Sequence, residues 1–210
     1  WDNDGVLVDT ERLYYQANSD ALKEVGLELT HNLFREHWLN ENHGLNFFAS
    51  QHSWSTDRPE FLRTWRNERY AELLQAGDLV MPGIREVLGS VSKDIVQGIV
   101  TSSRRDHFNL IHARSNLLPF FSFIIAEGDY ECSKPAPDPY LAALRKVLCS
   151  PEECIVVEDS ERGLRAAKAA GLPCAVLKNP LNEGSNLQQA DIILDDVAHL
   201  QTFLAQQMRA

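Results

Sequence analysis

Positive charge is in short supply. The chain sets 20 Lys and Arg against 30 Asp and Glu, a formal net charge of −10 over 210 residues. Such a surface repels nucleic acid and anionic membranes, so neither is an expected partner. The deficit also burdens any enzyme of phosphate esters, which then needs a metal ion or local Lys and Arg to reverse the field. Apolar runs are short, none near the roughly 18 residues that cross a bilayer. No secretory leader, low-complexity tract or internal repeat is visible. Cysteine is sparse: Cys132, Cys149, Cys154 and Cys174 show no C-x-x-C spacing. They read as buried free thiols rather than a disulfide or metal set, which fits a reducing cytoplasm. The histidines lack ligand spacing too, with His31, His37, His43 and His52 scattered through the first third. They read as surface or core residues.

Two kinds of periodicity divide the chain. From Glu11 to Val25 the apolar residues Leu13, Ala17, Ala21, Leu22 and Val25 recur at helical spacing, and Gly26 supplies a stop. Residues 31–76 continue helical, with LFREHWL followed by a long segment opened by Pro59, and hold three of the 4 tryptophans. After MPG (81–83) helices alternate with apolar runs: IVQGIV, FFSFIIA, CIVVED, PCAVL and ADIIL. That alternation predicts right-handed βαβ units and a parallel sheet. The expected fold is α/β, a doubly wound parallel sheet of residues 1–14 and 81–210, with an all-helical insert over 15–80. In such sheets chemistry gathers at the carboxyl ends of the strands, where DND, TSS, SKP and VEDS all fall.

The opening stretch WDNDGVLVDT admits three readings. Asn3-Asp4-Gly5 suits a hairpin turn, because these residues tolerate positive φ. A calcium loop is the second, with Asp2, Asp4, Gly5, Leu7 and Glu11 at positions 3, 5, 6, 8 and 12 of an EF-hand pattern. That loop needs flanking helices and leaves the later polar clusters without a purpose. The third is a reaction centre: Asp2 attacks phosphorus to form an aspartyl phosphate, while Asp4 protonates the leaving oxygen and then activates water. Adjacent acids facing a phosphate imply Mg²⁺.

WDNDGVLVDT resembles the first motif of haloacid dehalogenase-like phosphohydrolases. GIVTSS, SKPAPDPY and VVEDSERG follow in the family's order along essentially the whole chain. The resemblance implies a Rossmann-like core with a helical cap, and it assigns roles. Asp2 is the nucleophile, and Asp4 the acid/base whose backbone carbonyl also binds metal. Thr101 and the amide of Ser102 hold a phosphoryl oxygen, although Thr101 alone would equally suit a helix N-cap. Lys134 offsets charge between nucleophile and phosphoryl group; without the pattern it would read as a solvated loop charge. Pro135 biases Lys134 toward an extended backbone. Glu158 and Asp159 complete the metal site, Asp159 directly and Glu158 directly or through water, and Ser160 suits a helix cap. Arg104 or Arg105 contacts a substrate anion or lies solvated at a helix start. Asp9 and Thr10 mark where the chain leaves for the insert, and it returns near Met81-Pro82-Gly83, so that two hinges let the cap close.

The acid at position 4 disfavours dehalogenation. The motifs are similar to those of the β-phosphoglucomutase-like branch, which contains phosphatases and sugar-phosphate mutases. Mutases of that branch carry a cap Arg three residues after a Gly, whereas here Gly44 leads to Phe47 and ENHGLNFF offers no cation. Phosphonate cleavage would need a cap Lys, and only Lys23 precedes Lys93. The expected activity is therefore Mg²⁺-dependent hydrolysis of a small phosphorylated metabolite by a cytoplasmic monomer or weak dimer. A mutase, a calcium module and a non-catalytic binding protein are the alternatives. The apolar body of the first strand is expected to precede Trp1, outside this sequence.

Overall fold

A computed structural model describes residues 1–41, 43–75, 77–91 and 95–208. Asn42, part of the ENHGLNFF stretch, and Lys93 lie outside the described residues. Each apolar run after residue 94 contains a short strand: β1 Gly98–Val100, β2 Phe123–Ile125, β3 Val156–Glu158, β4 Cys174–Leu177 and β5 Ile192–Leu194. These strands pair in parallel, β1 with β2, β3 with β4, and β4 with β5. The two sets join through the chain's first residues. The Val100 amide donates to the Trp1 carbonyl at 2.8 Å, and the Asp2 amide donates to the Val157 carbonyl at 2.9 Å. Trp1 and Asp2 thus occupy the strand position between β1 and β3.

The strands read as near-continuous apolar runs because both faces are covered. Val100, Ile125, Val156, Cys174 and Val176 share one cluster with Tyr140, Ala142 and Ala143 of α7 (Asp138–Leu144) and Leu164, Ala166 and Ala167 of α8 (Glu161–Ala169). Their alternates Ile99, Val157, Ala175 and Leu177 point the other way along the pleat and are equally buried. The remaining helices of this unit are α5 (Ile84–Val91), α6 (Arg105–His112) and α9 (Val197–Gln207). The α6 pattern continues to Leu118 in the sequence, yet the helix stops at His112. Asn116 has φ 55° and Pro119 follows, neither of which continues a helix.

The chain divides into Trp1–Asp9 with Asp78–Ala210, and Thr10–Gly77. Where it leaves and returns, the two segments run antiparallel: the Asp9 amide donates to Leu79 at 2.8 Å, and the Met81 amide to Leu7 at 3.0 Å. The Thr10–Gly77 unit is helical: α1 (Glu11–Lys23), α2 (His31–Phe34), a π-helical turn (Arg35–Asn40), α3 (Gly44–His52) and α4 (Asp57–Leu74). Its own core is aromatic, with Phe34, Trp38 and Phe48 packed on Leu22, Leu29, Leu45 and Leu62. The buried Trp38 Nε1 donates to Asn18 Oδ1 at 2.6 Å, giving the indole a partner where water cannot reach. Among the described residues no helix is long and apolar enough to cross a membrane.

The cysteines depart from the reading of buried thiols. All are free, and only Cys174 is buried; Cys132 and Cys149 are exposed. The Cys149 and Cys154 sulfurs lie 3.5 Å apart.

Candidate active site

The first acids stand at the centre of the sheet because Trp1 and Asp2 are extended and paired on both sides. Beyond them the chain turns sharply. The amides of Val6, Leu7 and Val8 all point at the Asn3 carbonyl, at 2.8–3.3 Å. Gly5 has φ +77°, and a Cβ there would stand 1.9 Å from Asp159 Oδ2. Only glycine fits both the backbone and the approach of that carboxylate. Asp4 bridges Val8 in the parallel sense, so the turn closes no hairpin. Asp2 enters from a sheet rather than from a helix, which removes the helix–loop–helix setting of the calcium reading.

Lys134 reaches this centre from the loop before α7, through a cis Lys134–Pro135 peptide. Its Nζ donates to Asp2 Oδ1 at 2.8 Å, to the Val100 carbonyl at 2.9 Å and to Glu158 Oε1 at 2.7 Å. It is buried, as are Asp2, Glu158 and Asp159. Burial pulls the ammonium's pKa down, but the two carboxylates outweigh it and hold Lys134 protonated above its usual range. Two acids share one cation, and their environments push them apart. Burial and the nearby Glu158 push Asp2 up to about 7 against the pull of Lys134. Glu158 goes down: burial opposes its charge, and Lys134, the Tyr140 hydroxyl and the Asp159 amide outweigh burial. The geometry agrees, since Glu158 Oε1 also accepts from Tyr140 at 2.8 Å. Its Oε2 accepts from the amides of Asp159 and Ser160 and from the Ser160 hydroxyl, at 3.0–3.2 Å.

Asp4 is held from a different strand end. Its Oδ2 accepts from the hydroxyl of Ser103 at 2.5 Å and that of Thr101 at 3.2 Å. Thr101 Oγ1 in turn accepts from the Ser103 amide at 3.0 Å. Thr101 does not cap α6, whose N-cap position is Arg104 with no side-chain bond to the helix. The buried Ser102 hydroxyl has no hydrogen-bond partner among the described residues. Arg104 is spent on Asp106 through two bonds of 2.8 and 3.0 Å and is half-exposed. Arg105 pairs with Asp129. The structure therefore gathers Asp2, Asp4, Thr101, Lys134, Glu158 and Asp159, and leaves Arg104 in a surface pair.

Several supporting residues carry no signal in the motifs. Asn179 and Asn182 lie in the loop joining β4 to β5. Asn179 Nδ2 donates to Asp159 Oδ2, and Asn182 Nδ2 to the Asp159 carbonyl, both at 2.7 Å. Ser160 caps α8 by accepting from the Gly163 amide at 3.0 Å. A Cβ on Gly163 would stand 1.8 Å from Glu158 Oε1, so the first turn of α8 is moulded to that carboxylate. Asn3 links Asp4 to His112, its Nδ2 donating to Asp4 Oδ2 at 3.3 Å while its Oδ1 faces the imidazole. The Asn3 Oδ1–His112 Nε2 distance is 2.8 Å, and Nδ1 lies 2.9 Å from Ser115 Oγ. An amide oxygen only accepts, so Nε2 carries the proton and Nδ1 accepts from the serine. Burial lowers the His112 pKa to about 4, with Asp4 pulling weakly the other way.

Carboxylates of Asp2, Glu158 and Asp159 have oxygens within 4.8 Å of one another. An all-oxygen acidic set of this kind suits a hard cation such as Mg²⁺. Beside it lie a buried lysine and two hydroxyls, an arrangement able to neutralise, orient and attack an anionic ester.

The model of the haloacid dehalogenase-like hydrolase family matches residues 1–177. A phosphorylated carbohydrates phosphatase of Thermotoga maritima is 30% identical over 200 residues, covering 92% of this chain and 90% of that protein. The crystal structure of CbbY from Rhodobacter sphaeroides in complex with phosphate is similar with a TM-score of 0.81 at 26% identity, covering 95% of this chain and 93% of that one. β-Phosphoglucomutase from Clostridium difficile shares the fold, with a TM-score of 0.81 at 24% identity over 99% of this chain and 94% of the other. By its sheet, its helical insert and a family match over most of its length, the chain belongs to the haloacid dehalogenase-like hydrolases.

Proposed function

We propose that this hydrolase is a Mg²⁺-dependent phosphatase of a small phosphorylated metabolite, working through an aspartyl phosphate on Asp2. The observation that carries the reading is the single buried ammonium of Lys134 set between Asp2 and Glu158, at 2.8 and 2.7 Å. An enzyme short of positive charge has placed one where a phosphate dianion and a carboxylate nucleophile must approach each other. The names of the phosphatase and of CbbY with bound phosphate agree with it.

Asp2, the Asp4 carbonyl and Asp159 would hold Mg²⁺, with Glu158 acting through water because hydrogen bonds within the protein already engage both its oxygens. The ion's chemistry there is to neutralise the acids and polarise the phosphoryl oxygens. A carboxylate oxygen of Asp2 attacks phosphorus, and the P–O bond to the alcohol breaks. Asp4 gives a proton to the departing oxygen. Thr101 and Lys134 stabilise the charge on the transferring group. Asp4, now a carboxylate, takes a proton from water; the water oxygen attacks phosphorus, releasing phosphate and restoring Asp2. Hydroxyls on Asp4 Oδ2 fix the direction in which it can deliver a proton.

The fold likeness to β-phosphoglucomutase keeps a mutase as the second reading. Phe47, where a mutase-type cap would present a cation, is an uncharged ring stacked on His37 at 3.8 Å, which favours the phosphatase. Asp2→Asn should retain the fold and lose at least about 10³-fold in kcat on p-nitrophenyl phosphate with Mg²⁺. Turnover at the parent rate would overturn the assignment.

A further inference from the structure

His37, Glu41 and His43, in the helical unit, form a cluster that the hydrolase reading does not use. We infer that they are a second metal site, with borderline ligands, for a transition-metal dication such as Zn²⁺. His37 Nδ1 and His43 Nε2 each lie 2.9 Å from Glu41 Oε2. All three ligand atoms fall within 4.8 Å of one another. Around tetrahedral zinc, bonds of about 2.0–2.1 Å put neighbouring ligand atoms about 3.3 Å apart. The two measured edges are within a few tenths of an ångström of that value.

The backbone brings these residues together in advance. His37 sits in the π-helical turn, and the Glu41 amide donates to Glu36 at 3.1 Å in the wide-turn pattern. Single π turns recur at functional sites. The His43 amide donates to the His37 carbonyl at 2.9 Å, fixing the separation of the two rings. The buried His37 is further held by stacking on Phe47. Glu41 and His43 are about half exposed, at 45% and 46%, so an ion has a path in and water can complete its shell.

Two imidazoles and a carboxylate prefer Zn²⁺, Co²⁺ or Ni²⁺ to Mg²⁺, which seeks oxygen. The site is therefore chemically distinct from the carboxylate set at Asp2, Glu158 and Asp159, and its assignment does not depend on the phosphatase reading. Occupancy would clamp the π turn to the start of α3 and stabilise the helical unit as metal concentration rises. The sequence signal is His-x-x-x-Glu-x-His. Its first pair is a helical i, i+4 step, and its last pair spans a break in the helix that spacing alone does not reveal.

The test is calorimetric titration of Zn²⁺ into the metal-stripped full chain in excess Mg²⁺. The chain carries Cys149→Ser, so that the adjacent Cys149 and Cys154 sulfurs do not compete. The expected result is one tight equivalent, weakened about a hundredfold in His43→Ala and in Glu41→Gln. Co²⁺ in place of zinc should give visible absorption bands that disappear in His43→Ala. His37→Ala also removes a stacked, buried ring, so the half-exposed His43 carries the decisive arm. Zinc binding of unchanged affinity in both variants, or no zinc binding in the parent chain, overturns the site.

Discussion

Lys134 and Asp2, 132 positions apart in the chain, meet at 2.8 Å in a buried site. A charge pair at that depth persists only when its remaining donors and acceptors are matched. Lys134 spends its other two protons on Glu158 and on the Val100 carbonyl. The lysine therefore ties three strand ends together, besides carrying the charge that the proposed reaction assigns to it.

Replacing Lys134 by Met tests both roles. It leaves Asp2 and Glu158 facing each other in a buried site without their shared cation. Stability of the metal-free chain should fall by about 3–5 kcal/mol in urea. Turnover of p-nitrophenyl phosphate should fall about 10²–10³-fold or more. A loss smaller than tenfold would show that Lys134 does not touch the transferring group.

Asp4→Asn should separate the two halves of the reaction. Nitrophenolate departs without a proton, so the first step survives and the second, which needs a base, stalls. Rapid mixing should show a burst of nitrophenol of about one per chain, then slow turnover, with phosphate trapped on Asp2. Overall rate should drop about 10²–10⁴-fold. A linear time course at the reduced rate, with no burst, argues against the covalent route.

Metal dependence should respond to residues that no motif contains. Chelation should stop turnover and Mg²⁺ restore it. Asn179→Ala frees Asp159 Oδ2 from its 2.7 Å partner. The Mg²⁺ concentration for half-activation should rise about 10–100-fold while kcat at saturation changes less. An unchanged metal requirement would mean that Asp159 needs no such support.

Gly163→Ala puts a methyl where the Glu158 carboxylate lies, 1.8 Å from Oε1. Neither the helix backbone nor a carboxylate tied to Lys134 can retreat cheaply. Overpacking should cost about 1–3 kcal/mol, together with a clear loss of activity. An active protein of parental stability would show that Glu158 can move aside.

His112 gives a pH signature. Its folded pKa is depressed to about 4 from 6.5, so between those values the unfolded chain binds the extra proton. Stability from this group is complete above about pH 6.5 and is lost as pH falls toward 4, by about 3 kcal/mol. His112→Gln retains a donor for Asn3 and cannot titrate. Urea midpoints measured across this range should fall less steeply with acid in the variant, and parallel curves would assign the acid sensitivity elsewhere.

Residues at the ends of apolar runs were legible before any fold was known. Thr101, Glu158 and Asp159 each terminate a segment whose period announces a buried strand, and parallel strands align their carboxyl ends. Asp2 and Asp4 gained meaning from those distant partners. Arg104 lies beside the TSS turn in sequence, and it pairs at the surface with Asp106, two residues on, as the solvated helix start would have it. Ser103, Tyr140, Asn179 and Asn182 escaped notice because each is an ordinary residue type whose importance lies only in what it touches.

Composition, period and motif order by themselves determined the α/β class, the helical insert, the strand ends and the acids that meet there, because those follow from local preference and burial pattern. Tertiary structure alone decided how the charges are shared. It set Lys134 between Asp2 and Glu158, turned Asn3 onto His112, and brought His37, Glu41 and His43 to one point. The crossover connections and the π turn bring distant or out-of-register groups to hydrogen-bonding range, and no one-dimensional period encodes that proximity.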